Sequence, residues 1–183
     1  LGWDSYRTQF ISNVRTAEGT SISLLVNELN FDFETLKNFK FKIPLGKFNG
    51  GTVIPESVEA YYADGSAQLA VRHLTGLKRM YGGIGENGAD NRGIQDYLAC
   101  VRPLTDAEVQ NGGITLADDI AAHFVDIQAA MELIPDPMSE TLVSNKQIVD
   151  DAYLEMQMLV PMIKSDMTSA LGVQINYQDN DGD

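Results

Sequence analysis

Apolar positions recur every three or four residues through most of this chain, and no stretch of strict alternation is sustained. That period gathers apolar side chains on one face of a helix, whereas a strand would show a period of two. Between residues 10 and 36 the pattern runs through Phe10, Val14, Ala17, Leu25, Leu29 and Leu36, with Gly19 as a candidate bend. A second run reads Leu69, His73, Leu77 and then Met80 or Tyr81, with Asp64 or Ser66 as start signals. The third, Leu116, Ile120, Phe124, Ile127, Met131 and Ile134, follows Thr115 and Asp118, which have capping-box spacing with Asp in place of Glu or Gln. Pro135 and Pro137 end it. The fourth runs from Ile148 through Met156, Leu159 and Ile163 to Ala170, and Pro161 inside it predicts a kink.

Four amphipathic segments predict an all-α fold, an antiparallel four-helix bundle with long irregular connections and short extra helices. Residues 40–63 and 82–113 exceed the connections of about two to eight residues usual between bundle helices. Short helices are predicted at Ile94–Cys100 and Asp106–Gln110 within the second. There is no internal repeat and no low-complexity linker, so residues 1–183 read as one domain.

Charge sharpens this picture. The 183 residues carry a formal net charge of −13. Residues 1–102 are balanced, with 11 acidic and 11 basic side chains, while residues 103–183 hold 15 acidic ones against Lys146 and Lys164. Such a surface repels phosphate backbones and argues against a nucleic-acid partner. No apolar run approaches the ~18 residues of a transmembrane segment. The chain opens at Leu1 without Met, which reads as a mature product or a fragment. The single cysteine, Cys100, excludes an internal disulfide framework and a multi-Cys zinc site. Two histidines, His73 and His123, cannot supply a three-His zinc centre.

The candidate motifs are short. Gly83-Ile84-Gly85-Glu86-Asn87-Gly88 matches G-x-G-x-x-G, but a dinucleotide fingerprint needs a strand before it. Here a helix end precedes it, so the glycines read as a helix cap and a tight turn. Asp179-Asn180-Asp181-Gly182-Asp183 resembles the start of a calcium loop, without the Gly at position six or the later Glu. It reads first as an exposed acidic terminus. His73 sits on an apolar helix face and is either a hydrogen-bonded core histidine or a pocket residue. His123 and Asp126 are spaced for a local pair. Cys100 reads as buried and inert. Phe31, Phe33, Phe39, Phe41 and Phe48 alternate with four lysines, which reads as packing across the bundle or as a partner surface. Met156, Met158, Met162 and Met167 read as adaptable core filling rather than a soft-metal site. No H-E-x-x-H and no G-x-S-x-G is present.

Several segments carry a family resemblance. Leu25-Val26-Asn27-Glu28-Leu29, Ile43-Pro44-Leu45-Gly46-Lys47, Pro55-Glu56-Ser57-Val58-Glu59 and Tyr81-Gly82-Gly83 follow in order, and Leu171-Gly172-Val173 with Asp179-Asn180-Asp181-Gly182-Asp183 closes the set. Together they resemble the C-terminal half of imelysin-like proteins, also called peptidase M75. The resemblance implies an all-α protein of two helical halves, located in the bacterial cell envelope, in the periplasm or lipid-anchored, and associated with iron uptake. The family's G-x-H-x-x-E motif belongs to the N-terminal half and does not occur here. The resemblance therefore implies a missing N-terminal bundle half as partner, with iron or zinc as cofactor in the full-length protein. Glu59, Ser66 and His73 are the residues expected to face the cleft between the halves. Two positions depart from the family's tendency, Ala63 where serine is usual and His73 where asparagine is expected.

Three functions compete. The chain forms one wall of a metal- or ligand-binding cleft in an uptake protein. Alternatively it supports a metal-dependent peptidase whose metal, held by the absent motif, activates water. The third is a structural bundle that meets a partner through residues 31–48. No catalytic constellation and no metal site is assigned within the chain.

Overall fold

The computed structural model describes residues 2–176. Among them all regular structure is helical, and a single isolated bridge joins Ile84 and Asp90. The acidic stretch 179–183 lies outside the described residues. In order, the helices are α1 (Trp3–Ser12), α2 (Ser21–Lys37), α3 (Ser66–Gly82), α4 (Ile94–Val101), α5 (Asp106–Gln110), α6 (Leu116–Glu132), α7 (Met138–Ser144), α8 (Lys146–Pro161) and α9 (Met167–Leu171). The chain is all-α, as its periodicity requires.

The four long helices pack in a closed cycle, α2 on α3, α3 on α6, α6 on α8 and α8 on α2. Their buried positions repeat at three and four residues: Leu29, Phe33 and Leu36 from α2, Ala70, Leu74 and Leu77 from α3. Burying each of these larger side chains contributes roughly 1.5–3 kcal/mol. Phe33 meets Phe124 edge-on with ring centres 6.1 Å apart, and Tyr81 lies 5.5 Å from Phe124. These three rings tie α2, α3 and α6 together at the centre. Tyr153, Met156 and Met167 are buried as core, while Met158 faces outward.

The pattern over residues 10–36 does not form one helix. Residues 13–20 are not helical, and Gly19 takes a left-handed φ of +77° inside that break. α1 therefore stands apart and buries none of its residues. The helix α7, which the periodic reading does not identify, occupies the segment after the two prolines. At Pro161 the helix does not simply kink. It passes into a wide π-turn over Met162–Asp166 and resumes as α9. Proline lacks a backbone donor, and a wider turn absorbs that loss. Buried Asn30 on α2 then donates from Nδ2 to the Ile163 carbonyl at 3.3 Å, satisfying a group inside that turn.

The connection 43–54 is pinned to α8. Lys47 Nζ lies 2.5 Å from Asp150 Oδ1, and Lys146 Nζ donates to the Gly51 carbonyl at 2.8 Å. The phenylalanine-rich stretch divides: Phe33 and Phe41 are buried, whereas Phe31, Phe39 and Phe48 are exposed. Lys42 places its ammonium 4.4 Å above the Phe48 ring.

Candidate functional site

The three residues singled out by resemblance lie along the seam between α2 and α3. α2 ends in a π-turn, Asn38–Lys42, which carries Lys40 beyond the helix. Facing it is the turn before α3, where Tyr61–Ala63 form one 3₁₀ turn between two left-handed residues, Ala60 at φ +55° and Asp64 at φ +54°. Such conformations cost non-glycine residues roughly 1–2 kcal/mol each and must be held by their surroundings. The holding contacts are explicit. Lys40 Nζ sits 2.6 Å from Glu59 Oε2, and the buried Ser66 hydroxyl donates to the Glu59 carbonyl. Glu59 is thus fixed through its backbone and its carboxylate at once, while that side chain keeps 44% of its surface exposed.

His73 follows Ser66 by seven residues, two turns along the same face and about 10 Å away. Its Nε2 donates to Asp32 Oδ1 on α2 at 2.9 Å, with the imidazole 19% exposed. The structure therefore joins Glu59 to Ser66 directly and sets His73 further along the seam. Deeper in α2, Lys37 and Glu34 form a buried pair at 2.8 Å, and Asn38 Nδ2 adds a hydrogen bond to the same Glu34 oxygen at 3.0 Å. The hydrogen bond offsets part of the desolvation that burying two charges costs.

The start of α3 corrects the sequence reading. Neither Asp64 nor Ser66 caps the helix. Gly65 occupies the cap position without a side-chain bond, and the Asp136 carboxylate accepts from the Ala67 and Gln68 amides at 2.8 and 3.1 Å. Asp136 lies between Pro135 and Pro137, and no local signal marks it as the cap of a helix some seventy residues earlier. Asp32 and Lys40 complete the seam; in the sequence Lys40 reads only as one lysine of the phenylalanine-rich stretch, and Asp32 carries no signal of its own.

Other motifs resolve structurally. Gly83 caps α3 at φ +72°, and it meets Gly93 backbone to backbone. A Cβ on Gly83 would stand 2.4 Å from the Asn91 carbonyl, and one on Gly93 would stand 2.3 Å from the Gly83 nitrogen. The glycines close the neck of a loop after a helix, which is the cap-and-turn reading and not a nucleotide cradle. Thr115 caps α6 as expected, accepting from the Asp118 amide at 3.0 Å. His123 and Asp126 do not pair, and His123 Nδ1 has no hydrogen-bond partner. Cys100 is exposed rather than buried, because the short α4 turns only Ile94 and Leu98 inward. Among the described residues no three His, Cys, Asp or Glu side chains gather as a metal site.

Titration is displaced at two places away from the seam. Burial, with the Asp118 charge adding to it, pushes the Tyr81 phenol well above its ordinary range. The Arg102 guanidinium, followed by the Thr105 amide and hydroxyl, holds the Glu108 carboxyl down to about 2. These last contacts form the N-terminal cap of α5.

No curated protein and no solved structure matches the chain. The seam segment Pro55–Glu59, the clamped loop 43–47 and the glycine cap after Tyr81 are the same segments on which the family resemblance rests. The family model of imelysin, peptidase M75, matches residues 2–156, and the chain belongs to that family.

Proposed function

We propose that this chain is one wall of a metal- or ligand-binding cleft in a bacterial cell-envelope protein of iron uptake. Family membership supports the class. The observation that carries the reading is the Lys40–Glu59–Ser66 chain, which holds an accessible carboxylate in place without burying it. A carboxylate is a hard ligand suited to ferric iron, and imidazole suits iron or zinc. Fixed polar groups on rigid elements are what a binding wall needs. In this reading Glu59 exchanges Lys40 for the bound species, and His73, two turns further along α3, exchanges Asp32 for a more distant part of a bound complex. The remaining ligands come from a partner segment, the N-terminal bundle half that the resemblance implies. Ser66 acts as a positioning residue through the Glu59 backbone.

The test is titration of the full-length protein with ferric citrate and, separately, with zinc. Binding is expected to weaken by about tenfold in Glu59→Gln and in His73→Gln, the effect of losing one ligand. Absence of binding to both probes overturns the proposal. Hydrolysis of a peptide library that a chelator abolishes would replace it with the metallopeptidase reading.

A further inference from the structure

A second candidate lies at the opposite end of α3, away from Glu59 and Ser66. Here α3, α4, α6 and the loop 83–93 enclose a cleft of about 370 Å³. That volume falls within the range of small-molecule sites. Its apolar lining comes from Ala121, Phe124 and Val125 on α6 and from Ile84 on the loop. Ile84 and Val125 are exposed, so the lining is open to a ligand.

The charged groups sit at its two ends. Lys78 contributes an ammonium whose hydrogen bond goes to neutral Gln128 Oε1 at 3.2 Å, and among the described residues no carboxylate lies within ion-pair distance of it. Gln128 in turn donates from Nε2 to Glu132 Oε1 at 2.7 Å, so the ammonium meets that carboxylate only through the amide and keeps donors for an anion. Asp90 and Asp96 line the other end, the Asp96 carboxylate also accepting from the Gly93 amide at 2.8 Å at the start of α4. Gln95, next to Asp96, donates to Asp118 Oδ1 at 3.3 Å, which places the start of α4 beside the first turn of α6. Gln128 lies ten residues further along α6, about 15 Å away at the helical rise. The cationic and anionic ends are therefore separated along α6, with the apolar lining between them.

The loop rim is built rather than slack. The Gly83–Gly93 contact closes its neck, the Gly85 amide donates to the Ala89 carbonyl at 2.8 Å, and the Arg79 guanidinium donates to the Gly85 carbonyl. The bridge between Ile84 and Asp90 fixes both lining residues relative to one another. A small ligand thus meets a rim already ordered.

We propose that this cleft binds a linear zwitterion, a molecule with a carboxylate at one end, an ammonium at the other and an apolar span between. Its carboxylate pairs with Lys78, its ammonium with Asp90 and Asp96, and its span lies on α6. The proposal is independent of the Glu59 seam.

Calorimetry on the full chain with glycine, γ-aminobutyrate and ε-aminocaproate tests it, with methyl shifts of Ile84, Ala121 and Val125 reporting location. Affinity is expected to rise with length across the series. Caproate and hexylamine, each lacking one charge, are expected to bind about tenfold more weakly than ε-aminocaproate. Lys78→Met should erase the advantage of ε-aminocaproate over hexylamine, and Asp90→Asn should reduce its advantage over caproate, since Asp96 remains. Neither substitution removes an ion pair, and thermal melts confirm folding; Lys78→Gln substitutes if Lys78→Met does not fold. Lack of saturable binding by ε-aminocaproate overturns the proposal, as does binding that is independent of length or unchanged in both variants. Retention of ferric citrate binding by Lys78→Met separates this cleft from the seam.

Discussion

Asp136 shows how much one side chain decides. It satisfies two amide donors at the start of α3, a helix whose own sequence supplies no cap. Asp136→Ala is expected to cost about 1–2 kcal/mol. Urea unfolding measures the loss, and faster exchange of the Ala67 and Gln68 amides locates it. Tyr81 is the second such residue. It is 1% exposed and donates its hydroxyl to the Ala117 carbonyl at 2.9 Å. Because its folded-state pKa is raised, the stability it contributes is complete below the ordinary phenol value of 10.0 and is lost as pH rises above it. The urea midpoint should therefore fall steeply above pH ~10, and Tyr81→Phe should flatten that fall.

At the scale of elements, the loop 83–93 depends on two glycines packed backbone to backbone. Gly83→Ala combines a left-handed φ with a Cβ 2.4 Å from a carbonyl that cannot move aside. A destabilisation of about 3 kcal/mol or more is expected. Gly88 offers the contrast: its φ is +77°, yet nothing lies within 4 Å of a new Cβ. Gly88→Ala should cost only about 1 kcal/mol, the conformational strain alone. Equal losses in the two variants would show that the neck contact carries no special weight. The π-turn after Pro161 follows the same logic, since Asn30 supplies from another helix the donor that this turn requires.

Across the whole molecule, burial is distributed unevenly. The cycle α2–α3–α6–α8 holds the core, whereas α1 buries nothing and leaves Trp3, Tyr6 and Ile11 exposed. Elements with few buried contacts open at low free energy. Amide exchange in residues 3–12 is therefore expected to outpace that of α6 by orders of magnitude. Protection of α1 equal to α6 would refute this. Charge follows the same division, because the lysines of residues 37–47 are spent on Glu34, Glu59, Asp150 and the Phe48 ring.

The spacing of apolar residues alone determined that the chain is helical and which faces of α6 and α8 turn inward; on α3 it placed Leu69 and His73 on the core face, where packing instead buries Ala70 and Leu74 beside Leu77 and Tyr81. Helical burial is periodic, and period is a local property of sequence. The Thr115 cap and the glycine cap after Tyr81 were equally legible, since each lies within a few residues of the helix it ends. What spans long sequence distances was not. Asp136 capping α3, Asp32 meeting His73 and Lys40 meeting Glu59 join residues that only packing brings within hydrogen-bond reach. Gly19 marked a bend in advance, but the extent of the break at 13–20 and the detachment of α1 did not show, because a regular pattern does not reveal whether a core exists for it to face. The resemblance named Glu59, Ser66 and His73, but only the tertiary structure decided that two of them share one turn while the third pairs with another helix. That division follows from where α2 and α3 cross, which neither segment encodes by itself.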